Sequence, residues 1–362
     1  MSTSNVGKDG ITGERPGREA QVGAGLDDRG LDDRGRGGGA RRRRRGRRGE
    51  QLMVPEAEFT SYYGRPVLNR PTWQPLDIAG YFFLGGLAGA GSVLAAGAQA
   101  TGRPVMARAL KISSLTAISA STAALIHDLG RPERFVNMLR VFRPTSPMSV
   151  GTWLLSAYAP AAGAAAVLDV GGRLPRIGRA ATAGAALLGP AVAAYTAVLA
   201  ANTAVPAWHD GHRELPFVFT GSATTAAAGM ALAASPVAEN GPAVSAAVFG
   251  AVLETGAVKL MEHRLGMVAE PYRQGRAGRL MRLAEGLTVA GAAGAVLAGR
   301  RSRTAAAVSG AALLAASACT RFGVFHAGLA SADDPKYTVV PQRERLRKAA
   351  ADAAGGPPAG AP

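Results

Sequence analysis

The sequence predicts an all-α membrane protein: eight transmembrane helices in two four-helix bundles, behind a disordered basic N-terminal arm. Three observations carry that prediction. Of 362 residues, 48% are hydrophobic and only 18% are charged, against about a quarter charged in a soluble chain. The formal net charge is +16, yet the charge collects at the two ends and in short connectors. Between the connectors run Ala/Gly/Leu/Val stretches long enough to form spans of about 20 apolar residues. This distribution describes a multi-pass protein with basic extramembrane parts, not a basic soluble domain.

The arm comes first, over residues 1–52. Its segment "GLDDRGLDDRGRGGGARRRRRGRRG" holds a short tandem repeat and an arginine run, without apolar periodicity. Such a segment buries too little surface to fold, so it is expected to be disordered. Three readings stay open. It is an arm drawn to anionic lipid or nucleic acid, at about 1 kcal/mol per basic residue near a charged surface; or a tail without mechanistic consequence; or a leader ahead of a true start at Met53. No apolar core or small-residue cleavage site follows the basic run, so it does not read as a secretory signal. Residues 53–75 read as an interfacial segment. For the chain as a whole the expected partners include membrane lipid and no nucleic acid. The single cysteine, Cys319, excludes an internal disulfide and any Cys-based zinc or iron–sulfur site.

Eight segments then qualify as spans: 76–100, 107–127, 148–168, 180–204, 215–236, 241–262, 282–299 and 304–328. The second is entered through Arg108 and Lys111, which are expected to snorkel to the interface. The seventh and eighth are Ala-rich and weakly hydrophobic, so both are expected to pack inside the bundle and face little lipid. Small residues throughout ("GGLAGAGS", "AAGAAA", "AGAAGA") permit close helix–helix approach. Pro160 and Pro190 fall inside spans three and four, where neighbours can satisfy the freed carbonyl. The first four spans are expected to form one bundle over 76–208 and the last four another over 209–330, with 331–362 as a polar tail. An even number of spans puts both ends of the chain on one side. Arginines in the connectors are nearly balanced between the two sides; Arg65, Arg70 and the basic tail tip the balance toward cytoplasmic termini.

The rare polar groups gather on that same side. His127 ends span two, His209 and His212 follow span four, His263 ends span six and His326 lies near the end of span eight. Asp77 and Tyr81 open span one there, Asn202 lies near the end of span four, and Tyr195 sits deeper on the same helix. The connector "HDLGRPERFVNMLRVFRPTSPMSVGTW" (127–153) joins spans two and three on this face. Ionisable groups at membrane depth cost several kcal/mol and usually mark a pathway or a site. Their one-sided placement points to a site with a soluble partner above it. Histidines at helix ends also cap helices or sit among headgroups, and that reading stays open for His209, His212 and His263. A b-type haem needs two histidines facing each other from within helices; every histidine here is terminal, so neither haem nor metal is expected. Glu254 lies deep in span six and is expected to face the bundle interior, protonated or hydrogen-bonded, either in a proton path or as a structural contact. Lys259 is five residues on, about 140° around the helix, and does not share its face well.

Three segments together resemble the polysulfide reductase membrane subunit family, NrfD/PsrC: "SYYGRPVLNRPTWQPLDIAGYFFLGGLAGAGS" (61–92), the 127–153 connector, and "AYTAVLAANTAVPAWH" (194–209). The likeness runs from 54 to about 330, specific in the first four helices and general in the last four. It implies a haem-free, quinone-reactive anchor of a molybdopterin oxidoreductase. Such an anchor binds menaquinone or ubiquinone between helices of the first bundle. Its partners would be a four-cluster, ferredoxin-like iron–sulfur subunit and a molybdopterin catalytic subunit, at a bacterial plasma membrane. By the same resemblance, Tyr195 matches the family's quinone-contacting tyrosine. Tyr81 falls where some members place a histidine, with Asp77 one turn before it, and His127, Asp128, Arg131 and Arg134 match the connector near the partner. The quinone set is thus Asp77, Tyr81, His127, Tyr195 and Asn202. The docking set is Asp128, Arg131, Arg134, Arg140 and Arg143, and Glu254 is the proton-path candidate.

Quinone reduction takes two electrons and two protons. The electrons can arrive from a nearby cluster, so this chain needs only a slot for an apolar tail, donors for two carbonyls and a proton path. The connector guanidinium groups would lie at the mouth of that slot or pair with acids on the partner. Two other classes remain: a proton-coupled transporter, although carriers usually break helices near the midplane, and a structural anchor without quinone chemistry.

Overall fold

The computed structural model describes residues 5–7, 10–12, 67–131 and 133–355. The chain divides into two compact units, residues 1–67 with 338–362, and residues 68–337. In the first unit, β1 (Asn5–Gly7) and β2 (Gly10–Thr12) pair antiparallel with Val6 opposite Ile11. The rest of the arm expected over 1–52, and the interfacial segment up to residue 66, lie outside the described residues.

The second unit carries the helices. They are α1 (Pro75–Ala100), α2 (Pro104–Asp128), α3 (Glu133–Met138), α4 (Pro147–Gly171), α5 (Pro175–Ala201), α6 (Pro206–Asp210), α7 (Leu215–Ala234), α8 (Gly241–Leu265), α9 (Glu270–Arg273), α10 (Gly275–Leu297) and α11 (Arg303–Asp333). A last helix, α12 (Lys336–Gly355), belongs from Thr338 onward to the first unit and lies where a polar tail was expected. Among the described residues, eight helices are long and apolar enough to cross a membrane: α1, α2, α4, α5, α7, α8 with its continuation to Arg273, α10 and α11. Proline opens many of them, as at Pro75, Pro104, Pro147 and Pro175. It does so because the first helical N–H has no partner to lose and the ring presets φ. Gly172, at φ 62°, ends α4 in the left-handed conformation that glycine adopts without strain.

The seventh span begins at Gly275, not at 282. Arg276, Arg279 and Arg282 lie on its first turns, and long cationic side chains reach away from an apolar stretch without interrupting the helix. The eighth runs on to Asp333.

In the first bundle α1 packs on α2 and α5, and α4 packs on α5 and α2. In the second, α7 packs on α8 and α11, and α10 on α11 and α8; α1 and α7 join the two bundles. These two central helices are the most buried, at 67% of the apolar window each. Both bundles use the same device at the crossing of their first and fourth spans. A Cβ on Gly89 of α1 would stand 2.4 Å from the Gly189 carbonyl oxygen of α5, and one on Gly229 of α7 would stand 2.6 Å from that of Gly310 on α11. Where burying apolar surface does not drive helices together, such backbone approach supplies the packing energy.

Two packing expectations are corrected. Lys111 does not snorkel: it is 5% exposed and bonds Asp169 Oδ1 of α4 at 2.8 Å and Gln99 Oε1 at 2.5 Å. Arg108 joins Asp169 at 3.0 Å. A carboxylate at the end of α4 keeps the ammonium inside. The seventh span does not hide from lipid either. Only 33% of its apolar window is buried, and Leu283, Val289 and Leu297 face outward. The eighth, at 56% buried, is the interior one. Low hydrophobicity made the two look alike, whereas the packing of α10 against α11 and α8 leaves its outer side bare.

Candidate functional site

The face at which α1 begins and α11 ends, here the proximal face, receives all the histidines. Asp77 stands in the first turn of α1 and His127 in the last turn of α2, each at the helix end whose dipole favours its charge. His127 Nδ1 lies 2.8 Å from Asp77 Oδ2. The neighbouring Asp128 Oδ1 accepts the Gln74 backbone N–H at 3.1 Å, tying the connector to the cap of α1.

One turn below Asp77, Tyr81 is 1% exposed. The Ser121 hydroxyl donates to its carbonyl oxygen at 3.2 Å. The Tyr81 phenol stands beside that of Tyr195 on α5, close enough for the two to interact. Gly151 of α4 makes room for Tyr195, since a Cβ there would fall 1.8 Å from its ring. Three helices therefore hold the phenol pair. Deeper in the bundle, Tyr158 donates to the Ala88 carbonyl at 2.6 Å and meets Ser92 Oγ at 2.7 Å, closing the interior with a satisfied pair. Asn202 lies just past the last turn of α5 and is exposed; it does not join Tyr81 and Tyr195.

Above this group lies the connector. Arg131, Arg134, Arg140 and Arg143 are all exposed. Arg134 Nη1 donates to the Leu129 carbonyl at 2.9 Å, and the Arg143 N–H donates to Ser149 Oγ at 3.0 Å. Val136, Val141 and Phe142 are 63%, 57% and 58% exposed beside these cations. The segment presents an apolar surface rimmed by positive charge. Exposed apolar groups gathered in this way mark an interaction surface more often than a solvated loop.

Sequence reasoning missed two buried side chains. Trp208 on α6 is fully buried, donates from Nε1 to the Val324 carbonyl at 2.8 Å and stacks on Trp73 at 5.6 Å. It fastens the approach to α1 against α11. Arg321 on α11 is also fully buried. Its Nη2 donates to the Phe219 carbonyl at 2.6 Å, and its guanidinium lies 3.9 Å from the centre of the Phe219 ring. The signal was available, because a lone arginine follows a charge-free run from Thr304 to Thr320. Glu254 on α8 faces inward and is 4% exposed. It accepts from Thr320 Oγ1 at 2.5 Å and from Thr225 Oγ1 at 3.4 Å. Lys259 turns away from it to pair with Glu285 at 2.9 Å.

Of the other histidines, His212 Nδ1 meets the His209 carbonyl at 2.9 Å, and His263 is exposed. Among the described residues no three of His, Cys, Asp or Glu converge as a metal-ligand set.

Residues 68–247 match the family model described as polysulphide reductase, NrfD. The chain belongs to that family. NrfD proteins are multi-pass membrane subunits of quinone-interacting oxidoreductase complexes, generally associated with iron–sulfur and molybdopterin subunits. The NrfD match runs from ahead of α1 into the first turns of α8, so it contains the Asp77, Tyr81, His127 and Tyr195 group and the whole connector. Glu254 and Arg321 lie beyond it. No curated protein matches the chain.

Proposed function

We propose that the chain is the quinone-reactive anchor of a molybdopterin-type oxidoreductase in a bacterial plasma membrane. In this reading it exchanges electrons between a four-cluster iron–sulfur subunit and a pool of menaquinone or ubiquinone. The observation that carries the reading is the convergence of the Asp77–His127 pair and the Tyr81–Tyr195 phenols at one end of the first bundle, beneath an exposed cationic connector.

Each group has a chemical task there. A quinone carbonyl needs a hydrogen-bond donor in an apolar setting, and the Tyr81 and Tyr195 hydroxyls are donors held by α1, α4 and α5. Two-electron reduction consumes two protons. His127, 73% exposed, can take a proton from solution, and Asp77, 15% exposed, lies between it and the phenols. The basic excess on the proximal face favours placing both termini in the cytoplasm. Asp128 orients the connector, while Arg131, Arg134, Arg140 and Arg143 offer charge to acids on the iron–sulfur subunit.

The test is quinone reduction by the assembled complex carrying Tyr195→Phe or His127→Ala. Loss of quinone reduction with subunit stoichiometry intact is expected. Unchanged electron flow to quinone would reduce the chain to a structural anchor.

A further inference from the structure

The second bundle carries buried polar groups at the blind end of a cavity that the quinone reading does not use. The cavity, about 400 Å³, lies between α8, α10 and α11. Of its lining residues Glu254 and Thr320 are buried, whereas Lys259, Arg273 and Glu285 are half-exposed and mark its mouth, with Glu262 beside Arg273. The Lys259 and Arg273 side chains are each 55% exposed, and Arg273 stands at the proximal end, just ahead of α10. Glu254 stands eleven residues before α8 ends at Leu265, about 16 Å of helix below the proximal face.

A carboxyl at that depth is strongly disfavoured as an isolated anion. This one is not isolated. Thr320 and Thr225 donate to its two oxygens, and Arg321 acts on it electrostatically from the neighbouring helix. Arg321 keeps Nε and Nη1 without a protein partner, and so does the hydroxyl of Thr288, which is 1% exposed and lines the cavity. Buried polar atoms in native interiors are nearly always hydrogen-bonded, and a polar cavity of this size supplies partners by admitting water. Carboxylates at the mouth and hydroxyls within thus mark a route from the proximal face to Glu254.

At Glu254 the route ends. Ser222, which also interacts with the Glu254 carboxyl, bonds Ser317 at 2.8 Å. Further along, α7 and α11 meet backbone to backbone at Gly229 and Gly310.

We propose that the second bundle is a one-ended proton well, in which protons pass between the proximal face and the Glu254 carboxyl through this cavity, with Arg321 as the fixed counter-charge. On uptake a hydronium ion at the mouth becomes water and the Glu254 carboxylate becomes the neutral acid; release is the reverse, and no electron moves. Glu262 and Glu285 collect protons at the mouth, Lys259, Arg273 and Arg282 set its charge, and Thr288 and Thr320 relay. Arg321 also touches the first bundle, because a Cβ on Gly86 of α1 would lie 2.9 Å from its Nη2. The charge state of Glu254 is therefore felt at the helix that carries Tyr81.

Two measurements on the full chain in lipid nanodiscs test the well without quinone, so it can fail while the quinone site stands, and the reverse. In infrared difference spectra between acid and neutral pH, the carbonyl band of a protonated buried carboxyl is expected, and it should be lost in Glu254→Gln. In a Cys319→Ser background, Thr255→Cys and Thr288→Cys, both lining the cavity, should react several-fold faster with a charged methanethiosulfonate reagent than Ala228→Cys, which is buried beside the Gly229–Gly310 crossing beyond the well. A band that persists in Glu254→Gln, or equal reactivity at the three positions, overturns the proposal.

Discussion

The imidazole Nδ1 of His127 stands 2.8 Å from Oδ2 of Asp77, joining the last turn of α2 to the first turn of α1 across fifty residues of sequence. The pair is asymmetric: the histidine side chain is 73% exposed and the carboxylate 15%. One end meets water and the other meets the protein interior one turn above Tyr81. A pair so placed is suited to pass protons inward, and removing either member interrupts it. General acid–base groups typically contribute a hundredfold or more. Asp77→Asn and His127→Ala are each expected to lower kcat for quinone reduction by about that factor, with little change in KM, in a complex of unchanged subunit content. A changed KM with kcat intact would assign the pair to binding.

The phenols make the opposite prediction. Tyr81 and Tyr195 are expected to hold the quinone carbonyl, so their loss should appear in binding. A hydrogen bond of this kind is worth about 1 kcal/mol net, so Tyr81→Phe or Tyr195→Phe should raise KM roughly fivefold. The double variant should fall short of the product of the two, because neighbours that interact are not additive. Steady-state kinetics with a short-chain quinone analogue measure both.

The eight spans were legible because each is a long, mostly apolar run with few charges, a property of composition that survives any packing. The gathering of Asp77, Tyr81, His127 and Tyr195 at one end was legible too, since alternating spans fix which helix ends share a face. What could not be read was pairing. Lys111 meets Asp169 from 58 positions away, and the same lysine with no such partner would snorkel. Arg321 takes as partners a carbonyl and a ring, which no charge pattern announces. The outward side of α10 was hidden as well, because weak hydrophobicity says how much a helix can tolerate burial and not which neighbour covers it.

The glycine crossings define a structural prediction. At Gly89 and Gly229 even a methyl group would collide with backbone, at 2.4 Å and 2.6 Å, and backbone cannot rotate aside as a side chain can. Overpacking of this kind costs about 1–3 kcal/mol. Gly89→Leu and Gly229→Leu are each expected to lower the thermal midpoint in detergent. Gly184 and Gly256, with no atoms near a built Cβ, should accept alanine with the midpoint unchanged. A wild-type midpoint for Gly89→Leu would mean that α1 and α5 do not cross there.

The connector should behave as a charged docking surface. Exposed ion pairs weaken as salt rises, with a screening length near 10 Å at about 0.1 M. Reversing Arg131 and Arg134 to glutamate is expected to release the iron–sulfur subunit at moderate salt while the chain stays folded in the membrane. Phe142→Ala, which removes apolar contact and no charge, should weaken association without changing its salt dependence. Co-purification across a salt series distinguishes the two. Retention of the partner by the double reversal would move the docking surface elsewhere.

Glu214 sets a pH limit on the second bundle. It lies just ahead of α7, 5% exposed, and Arg264 at the end of α8 grips it in a fork, Nε to Oε1 and Nη2 to Oε2, both at 2.6 Å. That hydrogen bonding holds its carboxyl below the ordinary value of 4.5. A carboxylate whose folded value is depressed binds fewer protons in the native state than in the unfolded state. Its stabilising contribution is therefore complete above the unfolded value and is lost as pH falls through the folded one. In Glu214→Gln the contribution is absent at every pH. The thermal midpoints of wild type and Glu214→Gln should therefore differ most at neutral pH and draw together below pH 4.5, as the wild-type carboxylate is protonated. A constant difference between the two midpoints across that interval would show that the Arg264 fork does not shift the titration of Glu214.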